Sequence, residues 1–246
     1  WFATVEQPGL GRIELPGQPA IVQPAGGSRG VARWALRDPA PRLGADTAPE
    51  WDPKPPPGNA VDGAAAPPRP LEGVRVLDFS WVWAGPFATR NLAEMGAEII
   101  KIESPRAWDN IRTLVPQPDK ADPWNSSYYF NYYNRDKKSL TLDLAQEEGR
   151  QAFLELIAKC DVVLENYRAD VMDNLRLGYE VLREANPGII MVSMAGFGKT
   201  GPERDSVGFG PIIEQMSGLA SLTGYGDGTP MKTGISYGDP IGGLAA

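Results

Sequence analysis

From Leu71 onward the chain alternates short apolar runs with longer amphipathic stretches. Val74-Arg75-Val76-Leu77-Asp78-Phe79 has the β-branched, apolar character of a strand. Pro86 then fits the first position of a helix that runs through Leu92 to Met95 and is closed by Gly96. Glu98-Ile99-Ile100-Lys101-Ile102 follows as a second strand, which makes a βαβ unit with a right-handed crossover and parallel pairing. The alternation recurs. Leu140-Thr141-Leu142 is strand-like, Glu147 to Lys159 spaces Phe153, Leu154 and Ile157 as a helix does, and Asp161-Val162-Val163-Leu164 is a strand. Tyr179 to Glu184 reads as a helix and Ile189 to Met194 as a further strand. Strands alternating with helices predict an α/β fold with an open, doubly wound parallel sheet and functional groups at the carboxyl ends of its strands.

Before Leu71 this pattern lapses. Ten of the 24 prolines fall between Pro39 and Pro70, and Asp52-Pro53-Lys54-Pro55-Pro56-Pro57 has no apolar period. Proline removes amide donors and favours extended polyproline II, so residues 51–69 read as a semi-rigid linker. Residues 1–50 carry short strand and turn signals around Arg12-Ile13-Glu14-Leu15-Pro16-Gly17 and form a β-rich tail ahead of the main domain, 70–246. The chain opens at Trp1 without a methionine and stops within an apolar, glycine-rich stretch, which is the expectation for a fragment.

Charge and composition remove several chemistries. With 24 basic against 31 acidic residues the net charge is −7, which counts against sequence-independent nucleic-acid binding. The chain has no histidine, so it holds no Ser-His-Asp triad and no imidazole base or ligand. Its single cysteine, Cys160, excludes an internal disulfide and suits a reducing, cytoplasmic compartment. No metal is expected, and no apolar run approaches the ~18 residues that a membrane span needs.

Several segments remain as candidate chemistry. The turn Ser80-Trp81-Val82-Trp83-Ala84-Gly85-Pro86 occupies the place of a nucleotide phosphate loop but lacks the three-glycine fingerprint, which counts against NAD. On extended backbone Trp81 and Trp83 would share one side, either as a wall for an adenine or acyl chain or as packing in a core or interface. Asn134-Arg135-Asp136-Lys137-Lys138-Ser139 is the densest basic cluster, open to phosphate binding or to plain solvation. Glu165-Asn166-Tyr167-Arg168 follows a strand at its ligand-binding end. Tyr237-Gly238-Asp239-Pro240 reads as an aspartate N-cap with proline at the first helical position, and such a carboxylate stays ionised, as a nucleophile must.

Taken in order, Pro70-Leu71-Glu72-Gly73-Val74-Arg75-Val76-Leu77-Asp78-Phe79, Ala84-Gly85-Pro86-Phe87-Ala88-Thr89, Gly96-Ala97-Glu98-Ile99-Ile100-Lys101-Ile102-Glu103, Ser139-Leu140-Thr141-Leu142-Asp143-Leu144, Asp161-Val162-Val163-Leu164-Glu165-Asn166 and Gly196-Phe197-Gly198-Lys199-Thr200-Gly201-Pro202 resemble the class III CoA-transferases. This is the family of formyl-CoA transferase and carnitine CoA-transferase. The resemblance implies a Rossmann-like large domain, interlocked dimers, and transfer of coenzyme A from an acyl-CoA to a free carboxylate through an aspartyl-CoA thioester. The family's Gly-Asp motif falls on Gly238-Asp239, which makes Asp239 the expected nucleophile. The family's usual binding segments imply coenzyme A along Leu142, Asp143, Asn166, Tyr167 and Arg168, with its phosphates near Lys137 or Lys138. Trp81, Trp83, Phe209 and Gly238 are the expected substrate-pocket residues.

Three departures from the family pattern matter. Trp83 stands where some transferases carry glutamine. Phe209 stands where the related α-methylacyl-CoA racemases carry a catalytic histidine, which counts against a racemase or epimerase. Ala169-Asp170 replaces the usual Pro-Gly after Glu-Asn. The opening residues, Trp1 to Gly11 and Pro39 to Thr47, resemble the family's closing strands and tail. An end, a linker and a beginning are the expectation for the junction of a tandem fusion, paired within the chain or as a homodimer. A non-catalytic half that binds coenzyme A or scaffolds its partner module stays open beside the transferase.

Overall fold

The computed structural model describes residues 2–7, 11–16, 69–114 and 123–246, and the chain divides into two units, Trp1–Pro67 and Pro68–Ala246. In the first unit β1 (Phe2–Gln7) and β2 (Gly11–Pro16) form an antiparallel pair, with Phe2 opposite Pro16 and Gln7 opposite Gly11. The rest of the expected tail, and the proline-rich linker through residue 68, lie outside the described residues.

The second unit begins with β3 (Arg75–Asp78), α1 (Ala84–Glu94) and β4 (Glu98–Glu103). After a short α2 (Tyr128–Tyr133) come β5 (Lys137–Thr141), α3 (Glu147–Ile157) and β6 (Val162–Glu165). Then follow α4 (Val171–Asn174), α5 (Tyr179–Ala185) and β7 (Ile190–Ser193). The chain closes with α6 (Gly210–Met216), α7 (Leu219–Leu222) and α8 (Gly238–Ala245). Strands β3 to β7 form one parallel sheet in the order β5-β4-β3-β6-β7. The chain therefore starts at the centre, moves out to one edge and returns to the other side of β3. The direction reverses between β3 and β6, and in open α/β sheets ligands bind beyond the carboxyl ends of the strands at such a reversal.

Successive residues of the central strands face opposite sides, so both sides must be apolar. Leu77 and Val163 join Phe153, Ile157, Met172 and Leu182 under α3 and α5, while Val76 and Leu164 join Ala88, Ala93 and Ile99 under α1. Phe79 meets Phe153 edge to face with ring centroids 5.0 Å apart.

Two boundaries differ from expectation. Helix α1 starts at Ala84, not Pro86, because the first intrahelical bond runs from Phe87 N–H to Trp83 O (2.8 Å). Pro86 is the third residue of a first turn whose amides have no partner to lose. Strand β5 starts at Lys137, three residues before the apolar signal at Leu140, since Lys137 and Lys138 already pair with Ile99 and Ile100. Gly96 ends α1 as expected, at φ +109°, and a Cβ there would overlap the Arg69 side chain.

Candidate active site

The turn from β3 to α1 is built on a buried ionic network. Asp78, the last residue of β3 and wholly buried, accepts from Ser80 N–H (2.9 Å) and the Ser80 hydroxyl on Oδ1. Its Oδ2 accepts from Thr89 Oγ1 (2.7 Å) and Lys137 Nζ (2.9 Å). Burial alone would raise this carboxyl, but Lys137, Lys101 and the Ser80 hydroxyl outweigh burial and hold it below the usual carboxylate range. Lys101 Nζ donates to Ser80 O (2.6 Å) and Asp109 Oδ2 (3.2 Å), and Asp109 Oδ1 in turn accepts from Val82 N–H (2.9 Å). Two lysines and two carboxylates thus neutralise one another around the turn. They hold Val82 at φ +67°, a left-handed conformation that a β-branched residue adopts only under constraint.

Asn166, just beyond β6, clamps the same turn from the other side of the reversal. Its Oδ1 accepts from Trp81 N–H and its Nδ2 donates to Trp81 O, both at 2.8 Å. A Cβ on Gly85 would collide with Ser80 and come within 3.2 Å of the Asn166 side chain, which accounts for glycine there.

This geometry alters the expectation for the two tryptophans. They do not form one wall, because the backbone between them turns at Val82. Trp81 meets Tyr167 edge to face (5.5 Å), whereas Trp83 lies 5.3 Å from Tyr133 of α2. The indole Nε1 of Trp81 is buried without a partner among the described residues.

Lys137 is likewise not the exposed cation that a phosphate site requires. Its ammonium is buried, and its three donors go to Asp78 Oδ2, Pro86 O (3.0 Å) and Asn134 Oδ1 (2.9 Å). Burial lowers it to about 8, with Asp78 opposing. Lys138 is exposed, but it pairs with Glu98 at the amino end of β4, a carboxylate that also takes Arg75. It therefore points away from the strand ends where the other candidates gather.

The others lie just beyond the carboxyl ends of β5 and β6. Leu142 donates its N–H to Glu103 O (2.9 Å), and Asp143 lies 3.7 Å from Arg106 Nε. Tyr167 packs against the core beneath α3, and burial raises its hydroxyl. Arg168 makes a two-point pair with Asp170 (2.7 and 2.8 Å). The Asp170 that departs from the family pattern thus occupies the guanidinium of a neighbouring candidate. Glu165, at the end of β6, is buried, and that burial pushes its carboxyl up against the opposing hydrogen bonds of Ser193 and Tyr167 N–H.

Asp239 sits in the first turn of α8, with Tyr237 as the N-cap residue. It is therefore the second helical residue and not the cap that its Asp-Pro sequence predicts. Its carboxylate reaches across to α1, where the N–H of Ala84, the first residue of that helix, favours its charged form. Helix N-termini carry partial positive charge, so both α1 and α8 favour the anion. Burial works against them and pushes the carboxyl up to about 6. The approach depends on missing side chains. A Cβ on Gly210, the first residue of α6, would overlap Asp239 Oδ2, and one on Gly238 would press on Gly210 O (3.1 Å) and Ile213 (3.2 Å). A Cβ on Gly243 would meet Phe87 at 2.9 Å. Phe209, exposed, is the N-cap residue of α6 immediately before Gly210.

Sequence reasoning missed two buried polar residues, Tyr133 of α2 and Arg90 of α1. Tyr133 is buried, its hydroxyl is raised by that burial, and it lies within electrostatic reach of both Asp239 and Arg90. Arg90 is a buried guanidinium on α1, and its signal was an arginine placed among apolar positions of an amphipathic helix. Cys160, by contrast, precedes β6 at the amino end, where burial pushes the thiol up to about 11, and it has no place in this site.

Comparison with known proteins bears on the whole second unit. The chain is 42% identical over 175 residues to the succinyl-CoA–D-citramalate CoA-transferase of Chloroflexus aurantiacus, covering 71% of this chain and 42% of that protein. It is 42% identical over 177 residues to the succinate–glutarate CoA-transferase of Agrobacterium fabrum, covering 71% and 44%. The crystal structure of a CAIB/BAIF family protein from Brucella suis superposes with a TM-score of 0.65 at 37% identity, covering 72% of this chain and 47% of that one. The chain spans less than half the length of each of these relatives. The sequence model of the family described as CoA-transferase family III matches residues 71–246. That span takes in every strand of the parallel sheet and Asp239 as well, and the chain belongs to CoA-transferase family III.

Proposed function

We propose that the protein transfers coenzyme A from an acyl-CoA to a free carboxylate, with Asp239 as the covalent nucleophile. The observation that carries this reading is the Asp239 carboxylate itself. It is half-buried, faces the Ala84 N–H at the start of α1, and has its Oδ2 so close to Gly210 that a Cβ there would overlap it. Raised to about 6, it is ionised at neutral pH yet less stabilised than a carboxylate in water, which suits attack on a thioester. Membership of CoA-transferase family III, whose Gly-Asp motif falls on Gly238-Asp239 by the sequence resemblance, supports the same role.

In the first step an Asp239 oxygen attacks the thioester carbonyl, the C–S bond breaks, and a mixed anhydride and a CoA thiolate result. The thiolate then attacks the aspartyl carbonyl, which releases the free acid and leaves the aspartyl-CoA thioester. The incoming carboxylate attacks that thioester and forms a second anhydride. Return of the thiolate to the acceptor's carbonyl gives the new acyl-CoA and restores Asp239. Every bond broken is matched by one formed, and no oxidant is needed. Coenzyme A lies, in this reading, across the strand ends at Leu142, Asp143, Asn166, Tyr167 and Arg168, and a phosphate at Arg168 has to displace Asp170. Phe209 offers no proton-transfer group, which favours transfer over racemisation.

The test is intact-mass spectrometry of the protein with an acyl-CoA. Wild type should carry a covalent CoA adduct that hydroxylamine removes. Asp239→Asn should carry none. An equal adduct on both proteins refutes the assignment of the nucleophile.

A further inference from the structure

Helix α8 delivers Asp239 but does not fix its own start. Its N-cap residue, Tyr237, makes no side-chain bond to the first turn, and residues 233–237 ahead of it belong to no helix or strand. Irregular backbone at a helix start carries amides that need partners from elsewhere. Asp239 N–H donates to Ser236 O (3.0 Å), which ties the aspartate to the segment just before it. The aim of the carboxylate is therefore inherited from where residues 233–237 are held.

What holds them is Glu214 of α6. It is 2% exposed, and no step at Asp239 uses it. Thr233 N–H donates to its Oε1, and Thr233 Oγ1, which also reaches Ile235 O, lies 2.9 Å from its Oε2. The Thr233 amide above all, then the Thr233 hydroxyl, the Tyr237 amide and the charge of Lys232, outweigh burial and hold the carboxyl below its ordinary range. An ionised carboxylate accepts at both oxygens, so it can take donors from the two ends of one loop at once. The same side of α6 meets the aspartate. A Cβ on Gly210 would overlap Asp239 Oδ2 and press on Ser236, and a Cβ on Gly238 would come within 3.2 Å of Ile213. Gly210, Ile213 and Glu214 are spaced i, i+3 and i+4, which is one stripe of a helix. That stripe seats the chain from Thr233 to Asp239.

We propose that Glu214 is the positioning residue of the nucleophile: it pins Thr233 and the start of α8 to α6, and so sets how Asp239 meets a thioester. The inference rests on the transferase reading for its catalytic consequence, but the pinning itself can be measured without turnover. Amide hydrogen exchange of the protein alone reads it. Glu214→Ala should speed exchange across residues 233–239 about 10-fold or more, while β3 and β6 keep their wild-type protection. Glu214→Gln keeps one oxygen for the Thr233 amide, and the Thr233 hydroxyl can turn to Ile235 O and accept from the new amide group, so this variant should fall between.

The rate at which the covalent CoA adduct forms, with acetyl-CoA and succinyl-CoA as probes, reads the consequence. Glu214→Ala should lower the limiting rate about 10- to 100-fold while the probe concentration at half-maximal rate stays within about twofold, and Glu214→Gln should recover part of the rate. Unchanged exchange at residues 233–239, a loss seen only as weaker binding, or a Glu214→Gln variant as slow as Glu214→Ala overturns the proposal. Should Glu214→Ala fail to fold, Thr233→Val, which removes the hydroxyl and keeps the amide, should show a smaller loss of the same kind, and an unchanged limiting rate there overturns it. No adduct on wild type with either probe would count against the transferase reading alone, since amide exchange still decides whether Glu214 holds the segment.

Discussion

Replacing Asp239 by asparagine should abolish transfer and, at neutral pH, make the protein more stable. Burial raises this carboxyl from 3.8 to about 6. Within that interval the folded protein retains a proton that the unfolded chain has already released. Stability therefore falls as pH climbs through the interval, and the loss is complete above about 6. Two units at about 1.4 kcal/mol each set a ceiling near 3 kcal/mol. Asp239 is only half-buried, so solvent screening reduces this to about 1–2 kcal/mol. Asparagine keeps an oxygen for the Ala84 N–H but carries no charge to desolvate. Urea unfolding of both proteins at pH 4 and pH 7.5 should show little difference at the lower pH. At the higher pH the variant should lead by about 1–2 kcal/mol, with no CoA adduct in the same sample. A gap that does not change with pH, or a variant less stable at pH 7.5, would refute the argument that the site holds its anion at a cost to the fold.

Three further perturbations follow from the geometry. Lys137→Ala strands a wholly buried Asp78 charge and should cost about 3–5 kcal/mol in urea unfolding, whereas Lys138→Ala should leave the unfolding midpoint essentially unchanged. Equal effects of the two would contradict the buried network. Gly210→Ala pushes a methyl into Asp239 Oδ2 and against Ser236, so steady-state transfer should drop about 100-fold and the thermal midpoint should fall as well. Asn166→Ala removes both bonds to the Trp81 backbone and should destabilise by about 1–3 kcal/mol in the same urea assay, with Asn166→Asp recovering only the accepted bond.

The parallel sheet was legible because its strands are buried on both faces and so read as unbroken apolar runs, as at Val76-Leu77 and Val162-Val163-Leu164. Helix α2 was not, since Tyr128-Tyr129-Phe130-Asn131-Tyr132-Tyr133 has neither helical period nor helix-forming residues, and Ser127, whose Oγ accepts from Phe130 N–H, starts it. Proline misled at both helix starts. Pro86 and Pro240 each lie third in their helix, where a missing amide costs no more than at the first position. In the candidate site, Asp239 and the segment after β6 could be singled out from motif and position. Lys137 and Arg90 could not be sorted, because a buried cation and a solvated one have the same letter. What separates them is whether carboxylates and carbonyls from distant segments, such as Asp78 and Pro86 for Lys137, converge on the ammonium.

The clamp between Asn166 and Trp81 joins residues 85 positions apart in the chain, and this distance orders the assembly of the site in time. The unit of β3, α1 and β4 can pair locally as soon as it emerges. Its connecting turn gains its native shape only when β6 docks on the far side of β3 and brings Asn166 with it. Until then the left-handed Val82, which costs about 1–2 kcal/mol, is held from the β4 side alone, by the bond from its N–H to Asp109. Ala84 N–H, at the end of the same turn, meets Asp239 only once α8, later still in the chain, packs on α1. The half-made sheet therefore carries an unfinished turn, and the candidate site is complete only when the last helix brings Asp239 to it.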